Sequence, residues 1–170
     1  MSAAIINGVP VAAVEGLIGA VKADPAKGQT NWKAVTTWKG GFECESKIRD
    51  HTLIMDEPAQ LGGSDKAPNM VENVLAAYGS CLTVGYAMNA ARRGINIKNL
   101  RIEMDGDIDL AGFFGLSDTV PAGFSGVRAK VHLDSDASPA ALQALHDHVL
   151  KTSPVGSILQ RALPVSTDLA

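Results

Sequence analysis

Apolar and polar positions change period several times along this chain, and each change marks an element. Val11, Val14, Leu17, Ile18 and Val21 recur at helical spacing, which predicts a short amphipathic helix. Asp24-Pro25 and Gly28 then read as a linker reaching Thr30. From Trp32 to Met55 the period is two. Phe42, Cys44, Ser46 and Ile48 fall on one strand face, and Glu43, Glu45, Lys47 and Arg49 on the other. Gly40-Gly41 reads as a hairpin turn from a strand over Val35 to Trp38. His51 to Met55 follows as a third strand, and Asp56 to Pro68 as a loop.

A long helix is predicted from Asn69 to Arg93. Asn69 can cap it with Glu72 three residues on, and Arg92, Arg93 and Gly94 supply a stop. Between Val74 and Met88 apolar residues cover nearly every side, so the helix is expected to be central. Its small residues, Ala76, Ala77, Gly79, Ser80, Gly85 and Ala87, allow another element to approach closely. Alternation at Leu100, Ile102 and Met104, then at Val127, Ala129, Val131 and Leu133, predicts two more strands around an irregular stretch, Ala111 to Gly126. Ser138-Pro139 opens a helix to Thr152. Pro154 breaks it, a short helix reaches Arg161, and Leu163 to Thr167 reads as a last strand. Strands, a central helix, strands, helices and a strand make an α+β chain, organised as an extension over residues 1–30 and a domain over 31–170.

Composition narrows the function classes. The chain has 170 residues, 46% hydrophobic and 19% charged, with net charge -3. One domain with a real core is expected. Scattered basic residues give no electrostatic case for nucleic acid or for an anionic membrane. No apolar run approaches a membrane span of about 20 residues, and no basic stretch precedes an apolar one as in a signal peptide. Two cysteines do not make a disulfide framework. The expectation is a cytoplasmic protein. His51, His132, His146 and His148 form no metal-ligand spacing with Cys or Asp, so neither a metal nor another cofactor is expected.

The candidate chemistry rests on Cys81. A free cysteine in an apolar helix is on composition a packing residue. The passage Met70-Val71-Glu72-Asn73-Val74-Leu75-Ala76-Ala77-Tyr78-Gly79-Ser80-Cys81, entered through Gly62-Gly63-Ser64-Asp65, resembles the segment around the reactive cysteine of the OsmC/Ohr family, the osmotically induced and organic hydroperoxide resistance proteins. Asp105 to Leu116 and Pro121-Ala122-Gly123-Phe124 resemble the same family. The resemblance implies an α+β fold of antiparallel sheets around long central helices in an intertwined homodimer. It also implies reduction of organic hydroperoxides, with Cys81 as the attacking thiol.

The family's second cysteine lies in a Cys-Pro-Val-like motif, which here reads Thr152-Ser153-Pro154-Val155. Serine forms no disulfide, so the resemblance implies a one-cysteine peroxidase served by an external thiol reductant. Ser153 reads equally as the cap of the helix at Pro154. Glu72 resembles the carboxylate that orients an arginine beside the thiol, and its residue-level reading is the capping box. Arg49 is the arginine in the matching region, and its alternative is a solvated strand edge. Cys44 reads as packing. Tyr78, Leu82, Phe113, Phe114 and Phe124 are candidates for the apolar wall of a substrate pocket, with Ala111 to Gly126 as its lid or as a dimer clasp. The alternative function is a non-catalytic module of this fold, binding a small hydrophobic ligand at the dimer interface.

Overall fold

The computed structural model describes residues 5–169. These fold into α+β structure with antiparallel sheets, and divide into two compact units, one over 13–76 and one joining residues up to Ala12 with Ala77 onwards.

In the first unit α1 (Val11–Ala23), which begins at the boundary, leads through a 3-10 turn to β3 (Val35–Gly40), β4 (Glu43–Ile48) and β5 (His51–Met55). The hairpin β1 (Ile5–Ile6) and β2 (Val9–Pro10) precedes them and belongs to the second unit. The three strands pair antiparallel in the order β3-β4-β5. The first turn lies one residue later than the sequence predicts. Gly40 ends β3, and Gly41 and Phe42 form the turn, with Gly40 and Gly41 both at positive φ. Phe42 therefore leaves the strand face and is exposed. Arg49 is displaced in the same way. It sits with Asp50 in the two-residue turn between Ile48 and His51, at φ 55, not on the polar face of β4. A two-residue hairpin needs positive φ in its turn, and that demand overrides the alternation.

The loop after β5 is organised by one buried carboxylate. Asp56 is 1% exposed and accepts from Ser64 Oγ at 2.7 Å and from the backbone N–H of Glu57, Ser64 and Lys66 at 2.9, 3.0 and 3.2 Å. Gly63 closes the loop against Glu57, where a Cβ would meet the Glu57 carbonyl oxygen at 1.8 Å.

The second unit holds most of α2 (Met70–Arg92), β6 (Ile97–Asp107), α3 (Leu110–Phe113), β7 (Gly126–Ser135), α4 (Pro139–Thr152) and α5 (Pro154–Gln160). β6 and β7 pair antiparallel along nearly their whole length. Leu82, Tyr86 and Ala90 of α2 form a core with Leu145 and Val149 of α4, against Leu100, Ile102, Val131 and Leu133 of the ribbon. The glycines of α2 set these distances. A Cβ on Gly79 would stand 3.1 Å from Met104 Cγ, and one on Gly85 3.0 Å from Val149 Cγ1. Alternation predicts the ribbon strands, and their register places the alternate apolar residues on the helices.

Three features differ from the sequence reading. Asn7-Gly8 makes an N-terminal hairpin, with both residues at positive φ. Asn7 ties it to the unit, donating to Ile95 O and accepting from Ile97 N, each at 2.9 Å. The stretch after β6, expected to be irregular, opens with the single turn α3, capped by Asp109. Leu163 to Thr167 is not a strand, and Val165 is 84% exposed. Alternation makes a strand only where a ladder partner exists, and among the described residues β6 and β7 pair only with each other.

Two outcomes follow. Asn7→Ala removes two hydrogen bonds and a residue tolerant of positive φ, so it should cost about 1–3 kcal/mol in urea unfolding. Asp56 is held below the usual carboxylate range, first by the Ser64 hydroxyl and then by the backbone donors, which outweigh burial. Its stabilisation is therefore complete above about pH 4 and is lost as pH falls through the folded value. Hydrogen exchange at Ser64 and Lys66, corrected for intrinsic pH dependence, should lose protection on acidification before the α2 core does.

Candidate functional site

α2 turns two faces to its own unit. Leu82, Tyr86 and Ala90 enter the core. Cys81, Val84, Gly85 and Met88 stand one position around the helix and follow one another at three- and four-residue spacing. They line a groove of about 460 Å³, completed by Ala77, Ser80 and Asn89 of the same helix and by Val149, Thr152, Ser153 and Pro154. None of these lining residues carries a charged side chain apart from the ionisable thiol itself.

The floor of the groove joins the two sequence-predicted positions. Cys81 is half-buried, and its Sγ lies 3.3 Å from Ser153 Oγ. Local chemistry fixes the serine. α4 ends at Thr152, Pro154 occupies the first position of α5, and Ser153 between them is extended, with φ -73 and ψ 115. Its hydroxyl accepts the Gly156 N–H at 3.1 Å, so Ser153 caps α5 and touches Cys81 at once. The cap expected before Pro154 is thus present, and the same hydroxyl stands against Cys81.

Glu72 and Arg49 belong to the other unit. Glu72 closes a full capping box. Its carboxylate accepts from Asn69 N at 2.8 Å, while its own N–H donates to Asn69 Oδ1 at 2.9 Å. Asn69 also donates from Nδ2 to Glu57 at 3.1 Å. Arg49 is exposed in its turn. Cys44 is a half-buried free thiol on β4, register partner of Trp38 and Met55.

The groove wall differs from the expected one. Leu82 faces the core and Tyr78 packs against it. Phe113 and Phe114 are more than half exposed, their rings tilted by 58° with centroids 5.1 Å apart. Phe124 lies against Gly106. Met88, Asn89 and Val149 line the groove and were not singled out in the sequence. The three- and seven-residue steps from Cys81 would have found Val84 and Met88, whereas Val149 follows only from how α4 docks.

A second groove, of about 540 Å³, runs between β7 and α4 and reaches Tyr86, His146 and Lys130. The Tyr86 hydroxyl hydrogen-bonds His146 Nδ1. Burial, and then the nearby Tyr78, push the Tyr86 phenol up to about 12. It stays neutral at physiological pH, as befits a core hydrogen bond. Among the described residues no group of three or more His, Cys, Asp and Glu could hold a metal ion, and no helix is long and apolar enough to cross a membrane.

Against known proteins, residues 63–168 match the family described as OsmC-like protein. None of the curated proteins matches. The crystal structure of an OsmC-like protein from Mycoplasma pneumoniae is similar at TM-score 0.67 and 15% identity, over 78% of this chain and 89% of that one. An organic hydroperoxide resistance protein OsmC from Legionella pneumophila gives 0.59 at 18% identity, over 78% and 92%. An organic hydroperoxide resistance protein from Elizabethkingia anophelis gives 0.56 at 17%, over 78% and 89%. At such identities the likeness is one of fold.

The contact between positions 81 and 153 has a direct test. In Ser153→Cys the new sulfur should lie within easy reach of Cys81. Mild oxidation should then consume two thiols and remove two hydrogens from the intact mass, with the 81–153 link found by peptide mapping.

Proposed function

Starting from a chain that belongs to the OsmC-like protein family, we propose that it is a one-cysteine, thiol-dependent reductase of organic hydroperoxides, working at Cys81. The observation that carries this reading is the pairing of Cys81 with Ser153 at 3.3 Å in an apolar groove. The two positions that resemble the family's cysteines are in contact, and only the attacking one keeps its sulfur.

The chemistry balances without a metal. The Cys81 thiolate attacks one oxygen of the hydroperoxide, an S–O bond forms and the O–O bond breaks. Sulfur is oxidised by two electrons to the sulfenic acid, and the peroxide leaves as an alcohol after taking up a proton. Ser153 cannot condense with the sulfenic acid. A thiol from another molecule does so, releasing water, and a second thiol equivalent returns Cys81 to its reduced state. The groove's apolar lining suits the alkyl part of the substrate. In this reading Arg49 is the guanidinium that favours the thiolate, and Glu72 the carboxylate that orients it, both carried over from the family resemblance.

The working unit in this proposal is a homodimer. Its support is apolar surface that a lone chain leaves open: Trp32, Val35 and Trp38 before and on β3, Val84 on α2, and Phe113, Phe114 and Leu116 are all more than half exposed. One observation favours a second reading, a module that binds a small hydrophobic ligand: the residues lining the groove bring no cation to the sulfur.

A single turnover with cumene hydroperoxide and a sulfenic-acid trap decides between them. Rapid, stoichiometric labelling of Cys81 but not Cys44 is the expected result, abolished in Cys81→Ser and slowed in Arg49→Ala. Labelling of Cys81 no faster than of Cys44 would overturn the peroxidase and leave the binding module.

A further inference from the structure

We propose that Ser153 is a positioning residue that donates its hydroxyl hydrogen to the Cys81 sulfur, and not a spent remnant of a resolving cysteine. This rests on the reading of Cys81 as the attacking thiol. Beside a neutral thiol either atom can donate; ionisation of Cys81 is what fixes the direction. A seryl hydroxyl has one hydrogen and two lone pairs. The Gly156 N–H already occupies a lone pair, at 3.1 Å. The remaining contact of Oγ is Cys81 Sγ at 3.3 Å. A thiolate carries no hydrogen, so once Cys81 is ionised only the hydroxyl can donate. Ser153 is 5% exposed, which leaves little room for water to compete for that hydrogen.

The serine is held, not free to turn away. Pro154 starts α5 behind it, and its backbone is extended as an N-cap requires. On the far side Gly156 leaves the space it needs: a Cβ there would stand 3.1 Å from both Ser153 Oγ and Tyr78 Cε2. No lysine, arginine or histidine lines the groove. Within its lining, the Ser153 hydroxyl is therefore a fixed donor aimed at the sulfur. It favours negative charge on sulfur before attack, and after attack it is within reach of the sulfenate oxygen. The substitution that removes the second thiol thus supplies a hydrogen bond in its place.

The test compares wild type with Ser153→Ala, Ser153→Thr and Ser153→Asp. The readouts are the peroxide rate and the rate of Cys81 alkylation by iodoacetamide, at neutral pH and at about pH 10, above the ordinary thiol value of roughly 8.5. Thermal melting tracks the cap. Ser153→Ala should slow both reactions at neutral pH by about tenfold, the scale of one hydrogen bond to a charged group. Ser153→Thr should recover most of the rate, and at about pH 10 the alanine and threonine variants should alkylate like wild type. Ser153→Asp keeps an acceptor for the cap but has no hydrogen to give and sets a carboxylate against the sulfur, so it should be at least as slow as Ser153→Ala even if the alanine variant frays α5. Equal neutral rates in wild type and the Ala and Asp variants would overturn the proposal. So would an equal slowing of Ser153→Ala at both pH values, which would mean altered access. A wild type inert to peroxide would sink the peroxidase reading alone, since the alkylation series judges the hydrogen bond separately.

Discussion

The close approach of α4 to α2 is the constraint on which the candidate site depends. Gly85 has no side chain, and a Cβ there would stand 3.0 Å from Val149. That absence lets Leu145 and Val149 reach Leu82 and Tyr86 and seal the core of the unit. It also fixes the end of α4, and with it the serine at the start of α5. Val149 is stiff about χ1, so a larger residue at 85 would move the helix and not merely the side chain. The distance between Cys81 and Ser153 is thus a by-product of core packing.

The same geometry explains why Cys81 lines the groove while its neighbour Leu82 is buried in the core. One residue is about 100° of helix rotation. Leu82 and Tyr86 take the buried face, and the residue before Leu82 emerges at the border, half-buried beside α4. A helix apolar on nearly every side then has surface left over. Val84 remains 65% exposed because the elements of one unit cover only part of the helix. The apolar patches of the three-stranded sheet and of α3 are left open in the same sense, since a two- or three-stranded sheet with few helices cannot bury both of its faces.

Where sequence reading went astray, backbone demands were the reason. Asn7-Gly8 is a strong hairpin signal flanked by only two residues of strand on each side, too short for alternation to reveal. Arg49 obeys the alternation of β4 up to the last residue and then meets a turn that takes it at φ 55. Leu163 to Thr167 has the side-chain pattern of a strand, but a pattern supplies no hydrogen-bond partner. In each case a local periodicity was right about side chains and silent about what the main chain must do.

By itself the sequence determined most of the element types, the capping box of Asn69 and Glu72, the cap and break at Ser153-Pro154, and the resemblance that singles out Cys81. These are local: they follow from periodicity, from the missing N–H of proline and from side chains that satisfy helix ends. The tertiary structure alone decided that Cys81 and Ser153, 72 residues apart, stand at 3.3 Å, and which residues wall the groove around them. Contacts of that separation depend on how two helices dock, and the docking is set by the summed fit of a glycine, a valine and a buried core, which no window of sequence contains.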